Sequence, residues 1–235
     1  MKKIVAEDLL EAGVHLGHKA ARLHPRFAQF IYSSQNGSSI IDLFKTVEKL
    51  EEVRQFVYDL GKQGKTLLVV ATKKQAKQSI ASLCEEKNIM SVTNKWVAGL
   101  LTNFSEISKN IKKMHDMRQA KKNGDWEIFV KHEQVALEKK LRKIENIYSG
   151  IEGLKKIPDA LFLVDIKQEA VATDEARKMR LPSIALVDSN SDPDLVTYSI
   201  PGNDDAISSI NYLVPLIIEA YTEGRTTVEN KKKEK

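Results

Sequence analysis

Short apolar runs alternate with segments of helical periodicity along most of the chain. Continuous apolar runs at residues 66–71, 160–164 and 183–187, with a weaker run at 89–92, predict strands buried on both faces, as in a parallel sheet flanked by helices. The helical patterns lie before, between and after these runs, at residues 46–60, 73–86, 169–178 and 204–221. This alternation predicts an α/β fold with a doubly wound parallel sheet.

Residues 105–150 interrupt the alternation, because they contain no strand pattern and are rich in lysine. Their apolar residues recur at intervals of three and four positions, the spacing of a coiled-coil seam. The seam comprises Leu137, Leu141, Ile144, Tyr148 and Ile151, with a shorter version at Ile107, Ile111, Met114 and Arg118. An Asn-Gly-Asp turn signal at 123–125 separates the two halves. We predict an inserted antiparallel coiled-coil hairpin with charged outer faces, and two ordinary core helices are the alternative.

The interruption divides the sequence into three parts. Residues 1–104 and 151–225 are predicted to form one discontinuous α/β domain, and residues 105–150 form the hairpin. The charged residues 226–235 are predicted to be a disordered tail.

Composition and charge narrow the class of protein. The first residues lead directly to Glu7 and Asp8 with no apolar leader, and the apolar stretch 212–218 is too short to span a bilayer, so we expect a cytoplasmic protein with no membrane partner. The single cysteine, Cys84, cannot form an internal disulfide, as is typical of a reducing compartment. A formal net charge of +5 is compatible with nucleic-acid binding.

Motifs for enzymatic chemistry are weak. Gly64-Lys65-Thr66 resembles the end of a phosphate-binding loop, but Asp59 stands where the first glycine is needed, and the run precedes a strand instead of following one. It is better explained as a turn in which Gly61 or Gly64 ends a helix. No serine or cysteine lies in a recognisable nucleophile setting, so we predict no enzyme and no small-molecule substrate.

Aspartates gather at or after the ends of the predicted strands, where open α/β sheets usually bind ligands. They are Asp165, Asp188, Asp192, Asp194, Asp204 and Asp205. Such carboxylates could hold Mg²⁺, but helix and turn capping is the favoured interpretation. His15 and His18 give only a weak zinc signal. We predict no metal and no cofactor, while the sequence leaves open whether Mg²⁺ or Zn²⁺ occupies either cluster.

Two segments, residues 15–27 and 93–104, combine cationic or imidazole side chains with glycine and aromatic rings. Lysine and arginine bind phosphates, glycine permits close backbone approach, and rings can stack on exposed bases. Composition alone would also fit ordinary surface loops.

Four strings, in order along the chain, carry a resemblance to a known family. They are GVHLGH at 13–18, NKWVAGLLTNF at 94–104, PDALFLVD at 158–165, and LVDSNSDPD at 186–194 followed by YSIPGNDD at 198–205. Together they resemble the universal second protein family of the small ribosomal subunit, in its bacterial-type form, from about residue 9 to residue 221. The resemblance implies a flavodoxin-like sheet bound to small-subunit rRNA. It also implies a neighbouring large protein of repeated oligonucleotide-binding folds that helps recruit mRNA, and so a structural role in translation.

The positions that match the family supply the candidate RNA-binding residues. They are His15, His18, Lys19, Arg22, His24, Arg26, Lys95, Trp96, Thr102 and Asn103, with Lys109, Lys112, Lys113, Lys121 and Lys122 as phosphate-contact candidates along the hairpin. Trp96 and Phe104 could instead pack at the hairpin root, and the hairpin lysines could be a solvated face. The family usually has arginine where Lys95 stands and Leu-Gly at Val97-Ala98, so a two-pronged contact at Lys95 is in doubt.

Overall fold

The computed structural model describes residues 4–233, with side chains described through residue 227. The described part of the chain begins with a short helix and a small antiparallel sheet. These are α1 (Ala6–Glu11), β1 (Leu16–Lys19), β2 (Ile31–Gln35) and β3 (Ser38–Ile41). The three strands pair in the order β1-β3-β2. Asn36 and Gly37 connect β2 to β3 with φ values of 49° and 75°, a conformation that favours this residue pair in tight hairpins.

The main sheet has five strands, and every neighbouring pair in it is parallel. The strands are β4 (Leu67–Val70), β5 (Met90–Val92), β6 (Ala160–Leu163), β7 (Ser183–Val187) and β8 (Tyr198–Pro201). Their spatial order is β5-β4-β6-β7-β8. The predicted parallel sheet of an α/β fold is therefore confirmed, and β8 is a further strand that the apolar runs did not predict.

The remaining helices lie before, between and after these strands. They are α2 (Leu43–Lys62), α3 (Lys74–Glu86), α4 (Phe104–Asn123), α5 (Lys131–Tyr148), α6 (Ala170–Lys178) and α7 (Ile207–Lys233). Among residues 4–233, none of the helices has both the length and the apolar character needed to cross a bilayer.

Both faces of the main sheet are covered, which explains why its strands read as continuous apolar runs. In β4, Leu67 and Val69 pack in a hydrophobic cluster with side chains of α2, α3 and α7. Leu68 and Val70 point the other way, into a second cluster that includes Ala172 of α6 and the base of α4 and α5. We call these the α7 face and the α6 face. Helices on both faces are consistent with a doubly wound fold.

The strand order reverses beside β4. The chain leaves β4 through α3 to reach β5 on one side, then passes through α4 and α5 to reach β6 on the other side. In this architecture the carboxyl ends of the strands at such a reversal form the usual ligand crevice. Here Lys73 follows β4 and Asp165 follows β6, so both side chains lie at that crevice.

Two glycines allow α2 and α7 to cross closely. A Cβ on Gly61 would lie 2.3 Å from the carbonyl oxygen of Tyr221, and a Cβ on Gly224 would lie 2.1 Å from that of Tyr58. Gly61 is therefore a helix-contact residue. The helix-ending role belongs to Gly64, which follows α2 with φ of 66°.

The predicted hairpin forms two helices that pack against each other. Arg118 pairs with Glu145 and Lys121 pairs with Glu138, so α4 and α5 run in opposite directions. Gly124 ends α4 with φ of 83°, as the turn signal predicted. The coiled-coil geometry stays a prediction.

The final helix differs from the expectation for the end of the chain. α7 continues to Lys233, so its backbone is helical in much of the 226–235 segment, which composition predicted to be disordered. Lysine and glutamate, which dominate that segment, have good helix propensity, and a helix that is already formed extends at little cost. Residues 234 and 235 lie outside the described residues. The three-part division of domains is a prediction that the packing of elements does not test.

Candidate nucleic-acid interface

His18 ties the N-terminal loop, residues 15–26, to the ends of the parallel strands. Its backbone N–H donates to the Ser189 hydroxyl at 2.8 Å. Its Nδ1 lies 3.1 Å from Asp188 and its Nε2 lies 3.3 Å from Asp205, with the side chain only 18% exposed. The imidazole is therefore engaged by the protein's own carboxylates, which favours a role in holding the loop over direct contact with RNA.

Lys73 lies at the centre of the acidic cluster, which we define as Asp165, Asp188, Asp204 and Asp205. Its ammonium group is 2.6 Å from Asp205, 2.8 Å from Asp204 and 3.1 Å from Asp165. Three of the four carboxylates are buried. One lysine therefore neutralises only part of the negative charge of the four carboxylates. Burying the remaining negative charge costs free energy, because it is removed from water without a compensating cation.

The excess of negative charge shifts pKa values in the acidic cluster. Burial and the neighbouring charge of Asp165 raise the pKa of Asp204 to about 7, although Lys73 opposes the shift. Burial acts to lower the pKa of Lys73, but its hydrogen bonds to Asp204 and Asp205 outweigh burial and raise it. The lysine is therefore charged at neutral pH, while Asp204 titrates near neutrality.

The aspartates also cap local structure, as the favoured interpretation predicted. Asp165 accepts hydrogen bonds from the backbone N–H groups of Lys167 and Gln168. Asp192 accepts from the N–H of Asp194. The capping interpretation alone does not explain why Lys73 contacts carboxylates that follow two different strands, Asp165 after β6 and Asp204 and Asp205 after β8.

The ligand atoms of His18, Asp188 and Asp205 lie within 4.8 Å of one another, so this group could hold a metal ion. The sequence did not predict this combination of metal ligands. The expectation that the protein binds no metal stays a prediction.

The rest of the N-terminal loop divides between internal and exposed side chains. His24 accepts a hydrogen bond from the N–H of Arg26 and begins a short 3₁₀ helix there. Arg26 is 59% exposed but pairs with Asp192 at 2.8 Å. Lys19 and Arg22 are exposed, and neither lies within 4.0 Å of a carboxylate in the described part of the chain. His15 has a buried Nδ1 without a hydrogen-bond partner.

The hairpin-root loop, residues 94–104, is organised by a carboxylate that sequence reasoning missed. Glu175 of α6 is 5% exposed and accepts hydrogen bonds from Trp96, Gly99, Leu101 and Thr102. Burial alone would raise the pKa of Glu175, but these hydrogen bonds outweigh burial and lower it. No local motif pairs a helix residue with a loop more than 70 residues away, so only the tertiary structure could reveal this contact.

Some candidate RNA-binding residues of the hairpin-root loop are buried and others are exposed. Trp96 is 7% exposed and belongs to the hydrophobic cluster on the α6 face, which favours the packing alternative. Lys95, Thr102 and Asn103 are exposed, although the Thr102 hydroxyl binds Glu175. Phe104 is partly buried against the same cluster.

The hairpin lysines differ in their partners. Lys109 pairs with Glu106 at 2.6 Å and Lys121 pairs with Glu138 at 2.8 Å. Lys112 and Lys113 are exposed, and within residues 4–227 no carboxylate lies within 4.0 Å of either. The second pair is therefore better placed to meet an external anion.

The two loops are anchored on the same side of the sheet. Phe27 and Phe30, which directly follow the N-terminal loop, lie in one hydrophobic cluster with Trp96, Leu100 and Leu101. Both loops are therefore anchored to the same hydrophobic cluster on the α6 face.

Comparisons with known proteins identify the family of the chain. The family model described as "Ribosomal protein S2" matches residues 9–224. The chain belongs to the ribosomal protein S2 family. It is similar to "Small ribosomal subunit protein uS2" of Dictyoglomus thermophilum, with 44% identity over 225 residues that cover 96% of this chain and 92% of the relative. The protein of the same name from Thermus thermophilus is 45% identical over 222 residues, covering 93% and 87%.

Family membership confirms two predictions, the family itself and the absence of enzymatic function, because this family is a non-enzymatic one. It leaves the individual RNA-binding residues untested.

Proposed function

We propose that the chain is a cytoplasmic structural component of the small ribosomal subunit that binds small-subunit rRNA through the α6 face. The family and the names of its relatives support the assignment to the subunit. The observation that carries the RNA contact is that several of the candidate RNA-binding residues are exposed cations with no carboxylate within 4.0 Å among the described residues. These candidates include Lys19, Arg22, Lys95, Lys112 and Lys113.

The proposed mechanism is electrostatic docking of preformed loops. Lysine and arginine replace counterions along the phosphate backbone, which gives affinity and a strong dependence on salt. His18, His24 and Trp96 hold the loops from inside, so their contribution to RNA binding is indirect. Arg26 and Lys109 would have to exchange an internal carboxylate for a phosphate.

The test compares two triple variants in filter binding to small-subunit rRNA over a range of salt concentrations. Replacement of Lys19, Arg22 and Lys95 by alanine should weaken binding and reduce the log–log salt slope by about 0.7–0.9 for each phosphate that is no longer neutralised. The matched control replaces Lys62, Lys74 and Lys77, exposed lysines of α2 and α3 on the α7 face. Equal effects of the two variants would refute the assignment of the α6 face.

The second part of the proposal is that the chain supports a neighbouring large protein of repeated oligonucleotide-binding folds that recruits mRNA. The hairpin tip offers a contact surface, since Ile128, Phe129 and Val130 are consecutive exposed apolar residues. Substitution of Ile128 and Val130 by serine should reduce comigration of that neighbour with small subunits in sucrose gradients. The control is Val171→Ser, an exposed apolar residue of α6.

A further inference from the structure

Glu175 binds the hairpin-root loop through both of its carboxylate oxygens. Oε1 accepts from the indole N–H of Trp96 at 3.2 Å and from the backbone N–H of Gly99 at 2.7 Å. Oε2 accepts from the backbone N–H groups of Leu101 at 3.0 Å and Thr102 at 3.2 Å, and from the Thr102 hydroxyl at 3.3 Å. One side chain therefore accepts hydrogen bonds from three backbone amides, one indole and one hydroxyl.

Within the described part of the chain, the Glu175 carboxylate has no cation as a partner. Among the described residues, no lysine, arginine or histidine nitrogen lies within 4.0 Å of it, so its charge is balanced by N–H and O–H dipoles alone. Hydrogen bonds to a charged acceptor are stronger than neutral ones. Burying a charge nevertheless costs free energy. This cost indicates that Glu175 does more than fill space beneath the loop.

The backbone of the loop shows what is being held. Gly99 has φ of 93°, a conformation that residues with a side chain rarely adopt. Its N–H reaches Glu175 from this conformation at 2.7 Å. Lys95 and Asn103, on either side of the bound segment, are exposed. The anchored amides thus fix the part of the chain between two outward-facing candidates for RNA contact.

We propose that Glu175 is a positioning residue for RNA binding, which holds the hairpin-root loop in one conformation so that Lys95 and Asn103 meet the phosphate backbone without further ordering. The inference rests on the proposed function, because it assumes that this loop contacts rRNA. An interface that is ordered before binding loses less entropy on association, and so binds more tightly.

The experiment uses the full chain with Glu175→Gln, which keeps the shape but places an amide NH₂ group among the donors. The matched control is Asp174→Asn, which removes one charge from an exposed neighbour on the same helix. The first measurement is hydrogen exchange of the Gly99, Leu101 and Thr102 amides in the free protein, followed by NMR. The second is affinity for small-subunit rRNA at fixed salt. Glu175→Asp is measured alongside, in case the glutamine variant does not fold.

We expect faster exchange of these amides in Glu175→Gln, and about ten-fold weaker RNA binding, which corresponds to about 1.4 kcal/mol. Glu175→Asp should lie between the wild type and Glu175→Gln, and Asp174→Asn should match the wild type. Unchanged exchange would overturn the inference, as would faster exchange with unchanged RNA affinity while Lys95→Ala weakens binding. If Lys95→Ala itself has no effect, the proposed contact of this loop with RNA fails, and the inference fails with it.

Discussion

Two buried anionic centres hold the two candidate RNA loops, and they do so by different means. The acidic cluster holds the N-terminal loop through His18, and Lys73 is the one lysine of the described residues that pairs with it. Glu175 holds the hairpin-root loop with backbone amides, an indole and a hydroxyl, and no cation of residues 4–227 lies within 4.0 Å of it. The first centre is an ion-pair network and the second is an amide-lined anion site.

The difference appears in the protonation of the two centres. Crowded carboxylates disfavour ionisation, so burial and Asp165 raise the pKa of Asp204. Converging N–H donors favour ionisation strongly enough to overcome burial, so the pKa of Glu175 is lowered. The contributions of Asp204 and Glu175 to the stability of the fold are therefore expected to change with pH in opposite directions.

The largest effect is expected from removing Lys73 from the acidic cluster. Lys73→Ala leaves buried carboxylates without a counter-charge, which should lower the free energy of unfolding by about 3–5 kcal/mol at pH 8. Urea denaturation measures the loss, and the exposed neighbour Lys74→Ala serves as the control. A loss below about 1 kcal/mol would show that the network does not depend on this lysine.

The next effect is the pH dependence that Asp204 imposes. Because its folded pKa is about 7 against an ordinary 3.8, the folded state binds more protons than the unfolded state between these values. This contribution to stability is present at low pH and is lost as the pH rises through 7.

Asp204→Asn removes that dependence. Relative to the wild type, the variant should gain about 2–3 kcal/mol in stability between pH 5 and pH 8, because the loss in the wild type extends over about two pH units and each unit corresponds to about 1.4 kcal/mol. Parallel urea curves at the two pH values measure the difference. A constant gap between the two proteins would contradict the raised pKa.

Glu175 should show the reverse dependence. Its folded pKa is lowered, so its contribution is present above the ordinary value of 4.5 and is lost only as the pH falls through the lower folded value. In a Trp126→Phe background, Trp96 fluorescence should change below pH 4.5 before far-UV circular dichroism reports unfolding. The same titration of Glu175→Gln should lack this step; if the step persists, another group is responsible.

The smallest effect is expected at the surface of the N-terminal loop. Arg26 pairs with Asp192 while remaining 59% exposed, and such pairs contribute about 0–1 kcal/mol. Arg26→Ala should therefore lower the free energy of unfolding by less than about 1 kcal/mol, and by still less in 0.5 M salt. A larger loss would show that the pair of Arg26 with Asp192 is important for the stability of the fold, unlike an ordinary exposed cation.

Local patterns in the sequence determined the elements and the family of this protein. Continuous apolar runs predicted β4, β6 and β7, because a strand buried on both faces must be apolar at every position. Asn-Gly-Asp predicted the hairpin turn, and four strings of residues identified the family. The short strands β1, β2, β3 and β8 carry too few apolar residues for periodicity to mark them, although Asn36-Gly37 is a hairpin signal.

The tertiary structure decided which cationic and aromatic residues face outward. The sequence makes His18 and Trp96 candidates for RNA binding in the same way as Lys19 and Lys95. In the structure the first pair turns inward and the second pair is exposed. The partners that turn them inward come from strand ends and from a helix that are distant in the chain. Which of these meet depends on the order of strands in the sheet, and that order is a property of the whole fold that no local pattern contains.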